Sequence, residues 1–330
     1  MTGFKKRILQ HNLSIALLAL VAVTIALFSL CYGRTIYPLT TVWNVLTGQE
    51  SSFTIKTLRL PRMLAAVLSG FAFGVSGYVF QTLLKNPLAS PDIIGVSSAS
   101  SVVAVFCILV LHINNIWTSI ASVTAALIIS LVIYFISSPK GTFSYEKMIL
   151  VGIGIQAFLR AIVNFLLVRT SEYDVGATLQ WLSGSLNNVK LESIPRFFFA
   201  VLITTIIILA LQRHLETIQL GNDIATTLGV NTKIATAILI LCAVFLIAFS
   251  TAVTGPIASV AFLSGPIAAR LAGRSRSAVI PAGLVGILLV QLSDLVGQYV
   301  LPTRYPVGVI TGILGAPYLL MAIAKKSRSK

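Results

Sequence analysis

Long apolar runs, broken by short polar stretches, dominate this chain. The hydrocarbon core of a bilayer needs about 20 apolar residues per helix. Ten segments approach that length, at residues 13–32, 61–84, 93–111, 116–137, 147–168, 194–211, 234–253, 256–272, 279–297 and 306–324. The pattern predicts an all-α polytopic membrane protein with about ten transmembrane helices. The eighth segment is short and holds Gly265 and Pro266, so a broken or tilted helix is expected there. The first segment follows Lys5, Lys6 and Arg7 as in a signal peptide. Its run continues to Cys31 with no small-residue cleavage site, which predicts a retained span. No low-complexity stretch separates soluble parts, so residues 1–330 read as a single transmembrane domain.

Two connecting segments are too long to be simple turns. Residues 170–193 include Gln180–Trp181–Leu182–Ser183–Gly184–Ser185, a sequence suited to a short interfacial helix. Residues 212–232 read QRHLETIQLGNDIATTLGVNT. Leu220, Ile224 and Leu228 recur every four residues and form one apolar stripe. Gly221 and Gly229 can end or turn short helices. The segment reads either as a solvated connector or as two short helices that dock on a partner.

Composition supports the membrane reading. A soluble domain carries about 25% charged residues; this chain has 10%, with 56% hydrophobic residues and a mean hydropathy of +0.94. The net charge of +15 raises nucleic acid as a partner, but no water-soluble basic surface is available to bind it. Juxtamembrane cations account for the charge. With the amino terminus in the cytoplasm, fifteen Lys and Arg residues fall on the inner side and eight on the outer, with Arg160 inside a span. That bias predicts both termini inside. Lys56, Arg59 and Arg62 then lie outside, against the trend. They read as snorkelling anchors or as a docking patch for an acidic partner. Pro61 suits the first turn of the second span.

Candidate chemistry is sparse. The phosphate-binding pattern G-x-x-x-x-G-K-[ST] does not occur, so ATP would have to be bound by another subunit. Asp294 is the one acid placed clearly within a span, where it would pair with a cation or serve a proton relay. His11, His112 and His214 are scattered without metal-site spacing, and no G-x-S-x-G nucleophile elbow occurs. Cys31, Cys107 and Cys242 sit singly in apolar runs and read as small core residues. Neither a metal site nor an enzyme activity is expected. Gly70, Gly74 and Gly77, and the hydroxyls from Ser97 to Ser101, either let helices approach closely or wet a substrate path.

An ordered set of motifs resembles the FecCD-type permeases of type II ABC importers, the iron-chelate and vitamin B12 permeases. The set runs Arg59–Leu60–Pro61–Arg62, Gln81, Asn86–Pro87–Leu88–Ala89–Ser90–Pro91–Asp92 and Gly95–Val96–Ser97. It continues with Leu220–Gly221, Leu228–Gly229–Val230, Gly255–Pro256–Ile257, Pro306–Val307–Gly308–Val309 and Gly315–Ala316–Pro317. The resemblance covers nearly the whole chain. It implies ten helices in a vitamin B12 permease-like fold and a location in the bacterial cytoplasmic membrane. It implies a second permease subunit (itself or a paralogue), two cytoplasmic ATPase subunits holding ATP and magnesium, and an extracytoplasmic substrate-binding protein. No cofactor is implied for this chain. By resemblance, Lys56, Arg59, Arg62 and Arg304 would dock the binding protein, and Leu220, Gly221, Ile224, Ala225, Leu228 and Gly229 would couple to the ATPases. Gln81, Asn86, Pro87, Pro91, Gly95, Gly255, Pro256, Gly315 and Pro317 would be structural motif positions.

Two departures matter. The family often has a basic residue where Gln298 stands here, and a Pro-His pair where this chain has Gly265–Pro266–Ile267–Ala268. Both point toward an iron–siderophore cargo. Haem or cobalamin carriage by the same kind of machine, and a proton-coupled secondary carrier using Asp294, are the alternatives.

Overall fold

The computed structural model describes residues 3–113, 116–138, 144–170, 172–187, 189–273 and 277–327. Regular structure among them is helical. Seven helices are long and apolar enough to cross a membrane: Ile8–Cys31, Thr54–Leu83, Ile116–Ile136, Tyr145–Val168, Leu191–Ala210, Thr232–Thr254 and Val279–Val300. Three shorter apolar helices, Val96–Leu109, Val260–Ala272 and Val307–Met321, fill the remaining predicted segments.

In chain order the helices are α1 Gly3–Cys31, α2 Leu39–Leu46, α3 Leu60–Leu83, α4 Val96–Leu109, α5 Ile116–Ile136 and α6 Tyr145–Val168. They continue as α7 Glu172–Leu182, α8 Ile194–Ala210, α9 Gln212–Leu220, α10 Asn222–Thr227, α11 Thr232–Thr254, α12 Val260–Ala272, α13 Val279–Leu295 and α14 Val307–Ser327.

The second span differs from expectation at its start. A π-helical stretch over Thr54–Arg59 runs directly into α3, so helix begins before Pro61. Pro61 has no N–H to give, and its ring crowds the carbonyl four residues earlier. A wider turn relieves that conflict. Arg59 and Arg62 therefore do not flank a free helix start.

Helix α3 is the axis of the bundle, packed against α13, α11 and α12. Its glycines explain how. A Cβ on Gly70 would come within 2.6 Å of the Gly286 carbonyl oxygen, and one on Gly74 or Gly77 would collide with the backbone of Ala282 or Ala261. These small residues serve close backbone approach. Hydrogen bonds fix the register. Ser76 donates to the Ala243 carbonyl at 2.7 Å, and the Gln81 amide donates to the Phe262 carbonyl at 2.9 Å.

Polypeptide ends and connectors sort to two opposite ends of the bundle. His11 and Ser14 of α1 bond the carbonyls of Ala272 and Leu271 at the end of α12. The end of α3 and the α9–α10 pair lie at that same end, since α9 packs on α3 and α11. The far end of α1, the start of α3, Asn187 and Asp294 meet at the other. Helix α14 starts at this second end, where the Tyr305 amide bonds the Gly297 carbonyl, so the start of α1 and the end of α14 lie at the same end of the bundle.

The expected helix within residues 170–193 is present as α7. The nonhelical linker that follows it, around residues 184–185, plugs a break in the bundle. The Ser185 amide bonds the Thr254 carbonyl at 2.8 Å, and the Gly308 amide bonds the Gly184 carbonyl at 3.1 Å. Gly255 and Ser259, both with positive φ (71° and 66°), bracket the nonhelical link between α11 and α12. The eighth apolar segment is thus shortened by a break ahead of it, and Pro266 sits inside α12.

Replacing Gly74 by Leu is expected to abolish folded protein, because Cβ alone already meets the α13 backbone. Gly154→Leu, at a position with no atom within 4 Å, should accumulate normally. Detergent-extracted yield and monodispersity on size exclusion check the pair.

Candidate functional site

At the end of the bundle that carries residue 60, Arg59 and Arg62 line one small cavity of about 30 Å³ with Ser29, Gln291, Asp294, Gln298 and Tyr299. The π-helical lead-in places both side chains on the α1–α13 side of α3. Both are engaged within the chain. Arg59 Nη1 donates to the carbonyls of Leu30 (2.8 Å) and Cys31 (3.0 Å), and its Nη2 donates to Thr35 (2.6 Å). These are acceptors left over where α1 ends. The guanidinium also lies 5.1 Å from the ring centre of Tyr37. The phenol of Tyr37 is held below its usual pKa, first by hydrogen bonding with Thr35, then with Thr54 and Ser52.

Arg62 grips Asp294 with two nitrogens. Nε lies 2.9 Å from Oδ2 and Nη2 lies 2.6 Å from Oδ1. Its Nη1 donates to Oδ1 of Asn187, and the Gln298 amide donates to Asp294 Oδ2 at 2.7 Å. The side chains of Arg62 and Asp294 are only 18% and 9% exposed. This forked, shielded arrangement is the strong kind of ion pair. It ties α3, α13 and the segment after α7 together. Asp294 therefore sits in the cation-paired role, and Gln298 supplements it. Lys56 and Arg304 are exposed by contrast.

The opposite end carries α9 and α10. Leu215 and Ile218 are fully buried and seat α9 in the main core. Gly221, at φ 134° and ψ 147°, turns the chain into α10 in a conformation open to glycine. Gly229 ends that helix at φ 82°. Leu220, Ile224 and Leu228, the predicted stripe, are 64%, 51% and 65% exposed, with Leu220 at the end of α9 and the other two beyond the Gly221 turn. Ala225 does not join the stripe. It points inward and is fully buried, so it supports the elbow and offers nothing to a partner.

The motif positions fall at turns and at close contacts between helices. Gln81 bridges α3 to α12. The Asn86 side chain accepts from the Leu88 amide at 3.0 Å, and Pro87 follows in that turn. Pro91 opens a 3-10 turn, Pro91–Ile94, and Gly95 closes it at φ 77°. Gly255 lies against the Trp181 carbonyl, Pro256 against Gly184, and Gly315 against Ser259. Pro317 lies inside α14.

Sequence reasoning gave no sign of the depth of Asp92. The turn that holds it packs against the middle of α6: the Gly95 Cβ position falls 3.5 Å from Gln156 Cα. Asp92 accepts hydrogen bonds from Ser97 and Ser90 and lies within electrostatic reach of Arg160. The pairing of Asn187 with Arg62 had no local signal at all.

Comparison with known proteins agrees with this architecture. The sequence pattern of the FecCD transport family matches residues 18–325. The ferric enterobactin transport system permease protein FepG of Escherichia coli is 31% identical over 283 residues, covering 86% of each chain. The Fe(3+)-citrate import system permease protein YfmE of Bacillus subtilis is 31% identical over 322 residues, covering 96% of each. The hemin transport system permease protein HmuU of Yersinia pestis is 29% identical and covers 97% of this chain and 98% of its own. A solved metal-chelate type ABC transporter in an inward-facing conformation superposes with a TM-score of 0.83 at 25% identity, covering 96% of this chain and 99% of that one.

Removing one partner of the Arg62–Asp294 pair strands the other in a shielded site, at about 3–5 kcal/mol. Asp294→Ala and Arg62→Ala should each lower stability on that scale, while the double variant should lose less than the sum. Thermal unfolding of the purified protein in detergent checks the cycle; additive losses would mean the pair is not coupled.

Proposed function

The chain belongs to the FecCD transport family, and from that membership we propose that it is the permease subunit of an ATP-binding-cassette importer that carries an iron–siderophore complex across the bacterial cytoplasmic membrane. The observation that carries this reading is the whole-chain likeness to permeases for ferric enterobactin and ferric citrate. The two-ended architecture supports it. Family likeness to a hemin permease keeps haem as the second cargo. The proton-carrier reading loses its residue, because Asp294 is occupied by Arg62 and Gln298.

The end with the termini and α10 is assigned to the cytoplasm, following the Lys and Arg bias. There the exposed stripe of Leu220, Ile224 and Leu228 presents an apolar surface to an ATPase subunit, one ATPase for each of two permeases. ATP and magnesium reside in those partners. Movement of the ATPases presses on α9, which is seated on α3 and α11, and a shift of those packed helices switches the path between outward and inward openings.

The other end receives the loaded binding protein. Lys56 and Arg304, exposed, supply long-range attraction for acidic groups on it. Arg59 and Arg62 lie beside them and shape the seat, with Arg62 already holding a carboxylate of its own chain. Docking therefore adds to the Arg62–Asp294 arrangement or displaces it.

In vesicles holding this chain, its second permease and the ATPases, iron–chelate uptake should require ATP and persist without a proton gradient. Uptake driven by the gradient alone would overturn the reading. Leu228→Asp, which charges the exposed stripe, should cut uptake per ATP hydrolysed at least fivefold without loss of membrane insertion. Separately, Lys56→Glu with Arg304→Glu should slow association of the binding protein about tenfold at low salt, with the difference shrinking near physiological ionic strength; stopped-flow fluorescence reads both rates.

A further inference from the structure

Helix α6 carries a charge that the importer reading has not used. Arg160 lies eight residues before α6 ends, about 12 Å along the axis. It lies still farther from the start of the helix at Tyr145. A helical side chain leans toward its own amino terminus, so Arg160 leans away from the nearer membrane surface. Snorkelling to that surface is disfavoured. Yet Arg160 is exposed, on a helix long and apolar enough to span. A guanidinium facing acyl chains at that depth is costly, and such residues face water or protein.

Its neighbours define the surface. Gln156, Arg160 and Asn164 are four residues apart and form one polar seam. On one flank of the seam, Met148, Gly152, Leu159 and Val163 are buried in the bundle. On the other flank Leu150, Phe158, Phe165 and Val168 are exposed and apolar. Helix α6 thus has three faces, and only the seam is suited to water. At its foot sits the turn that holds Asp92, with Ser90 and Ser97 as its hydrogen-bond partners. Among the described residues no ion pair joins Asp92 to Arg160. Asp92 lies near the cation without occupying its fork of five N–H donors.

We infer that Arg160 is a specificity-determining residue that lines the wet path and favours anionic cargo, its guanidinium pairing in passing with the oxygen ligands of a metal chelate. This rests on the importer reading above. A ferric ion wrapped in catecholate or carboxylate oxygens carries net negative charge, because the ligands bring more charge than the metal cancels. A planar fork recognises paired oxygens of that kind.

The test uses the assembled importer in vesicles, with Cys31, Cys107 and Cys242 replaced by alanine and Asn164→Cys added. Two impermeant thiol reagents of like size are compared, one carrying a sulfonate and one a quaternary ammonium. Each rate is normalised to that reagent's rate with a small free thiol. The inference expects both to react, the anionic one at least fivefold faster. Arg160→Gln should bring the ratio near one, and Arg160→Lys should retain most of it. A thiol at 164 that neither reagent reaches while ATP-driven uptake is intact overturns the inference and leaves the importer reading standing. A ratio near one with Arg160 present does the same, and decides the matter even where Arg160→Gln fails to accumulate. Loss of ATP dependence in the same vesicles would instead strike the importer reading.

Discussion

Close contact between bare backbones holds this molecule together. Along α3, glycines at 70, 74 and 77 leave no side chain between that helix and the backbones of α13 and α12. In lipid, little hydrophobic gain favours one apolar helix against another over acyl chains, so tight van der Waals fit and a few interhelical hydrogen bonds must do the work. Ser76 and Gln81 supply such bonds on the same helix. Because α3 is enclosed along most of its length, whatever touches it at one end is mechanically joined to whatever touches it at the other.

That linkage gives the two ends their meaning. At one end Arg62 clasps Asp294 and Asn187, so α3, α13 and the linker after α7 share one ionic knot. At the other end α9 rests on α3 through a fully buried Leu215 and Ile218. Neither contact has slack: one is a forked ion pair shielded from water, the other a dry apolar seat. Family membership places both contacts in a transport protein.

Much of the architecture was legible in the sequence because membrane helices announce themselves by length and hydropathy. The exposed stripe at Leu220, Ile224 and Leu228 was legible for a related reason, since period and polarity change together there. What escaped was depth and direction. Hydropathy cannot show that the turn bearing Asp92 dips to the middle of α6, because a re-entrant turn and a surface loop share Pro, Ser and Asp. Ala225 was expected by resemblance to share in the coupling, yet one residue's rotation from Ile224 turns it into the core. Asp294 could be recognised as an acid in need of a cation. Its partner lies 232 residues away, and no local pattern identifies Arg62 as that cation.

The short fourth helix carries a different consequence. Val96–Leu109 has 14 residues, about 21 Å of helix, against a hydrocarbon thickness of about 30 Å. Its outer flank still shows Phe106 and Val110 to the surroundings. Lipids beside it must thin or tilt to meet it, at a modest cost per ångström of mismatch. Acyl-chain length thereby becomes a solvent variable for this protein: shorter-chained lipids fit that flank at rest, and longer-chained ones must deform to meet it.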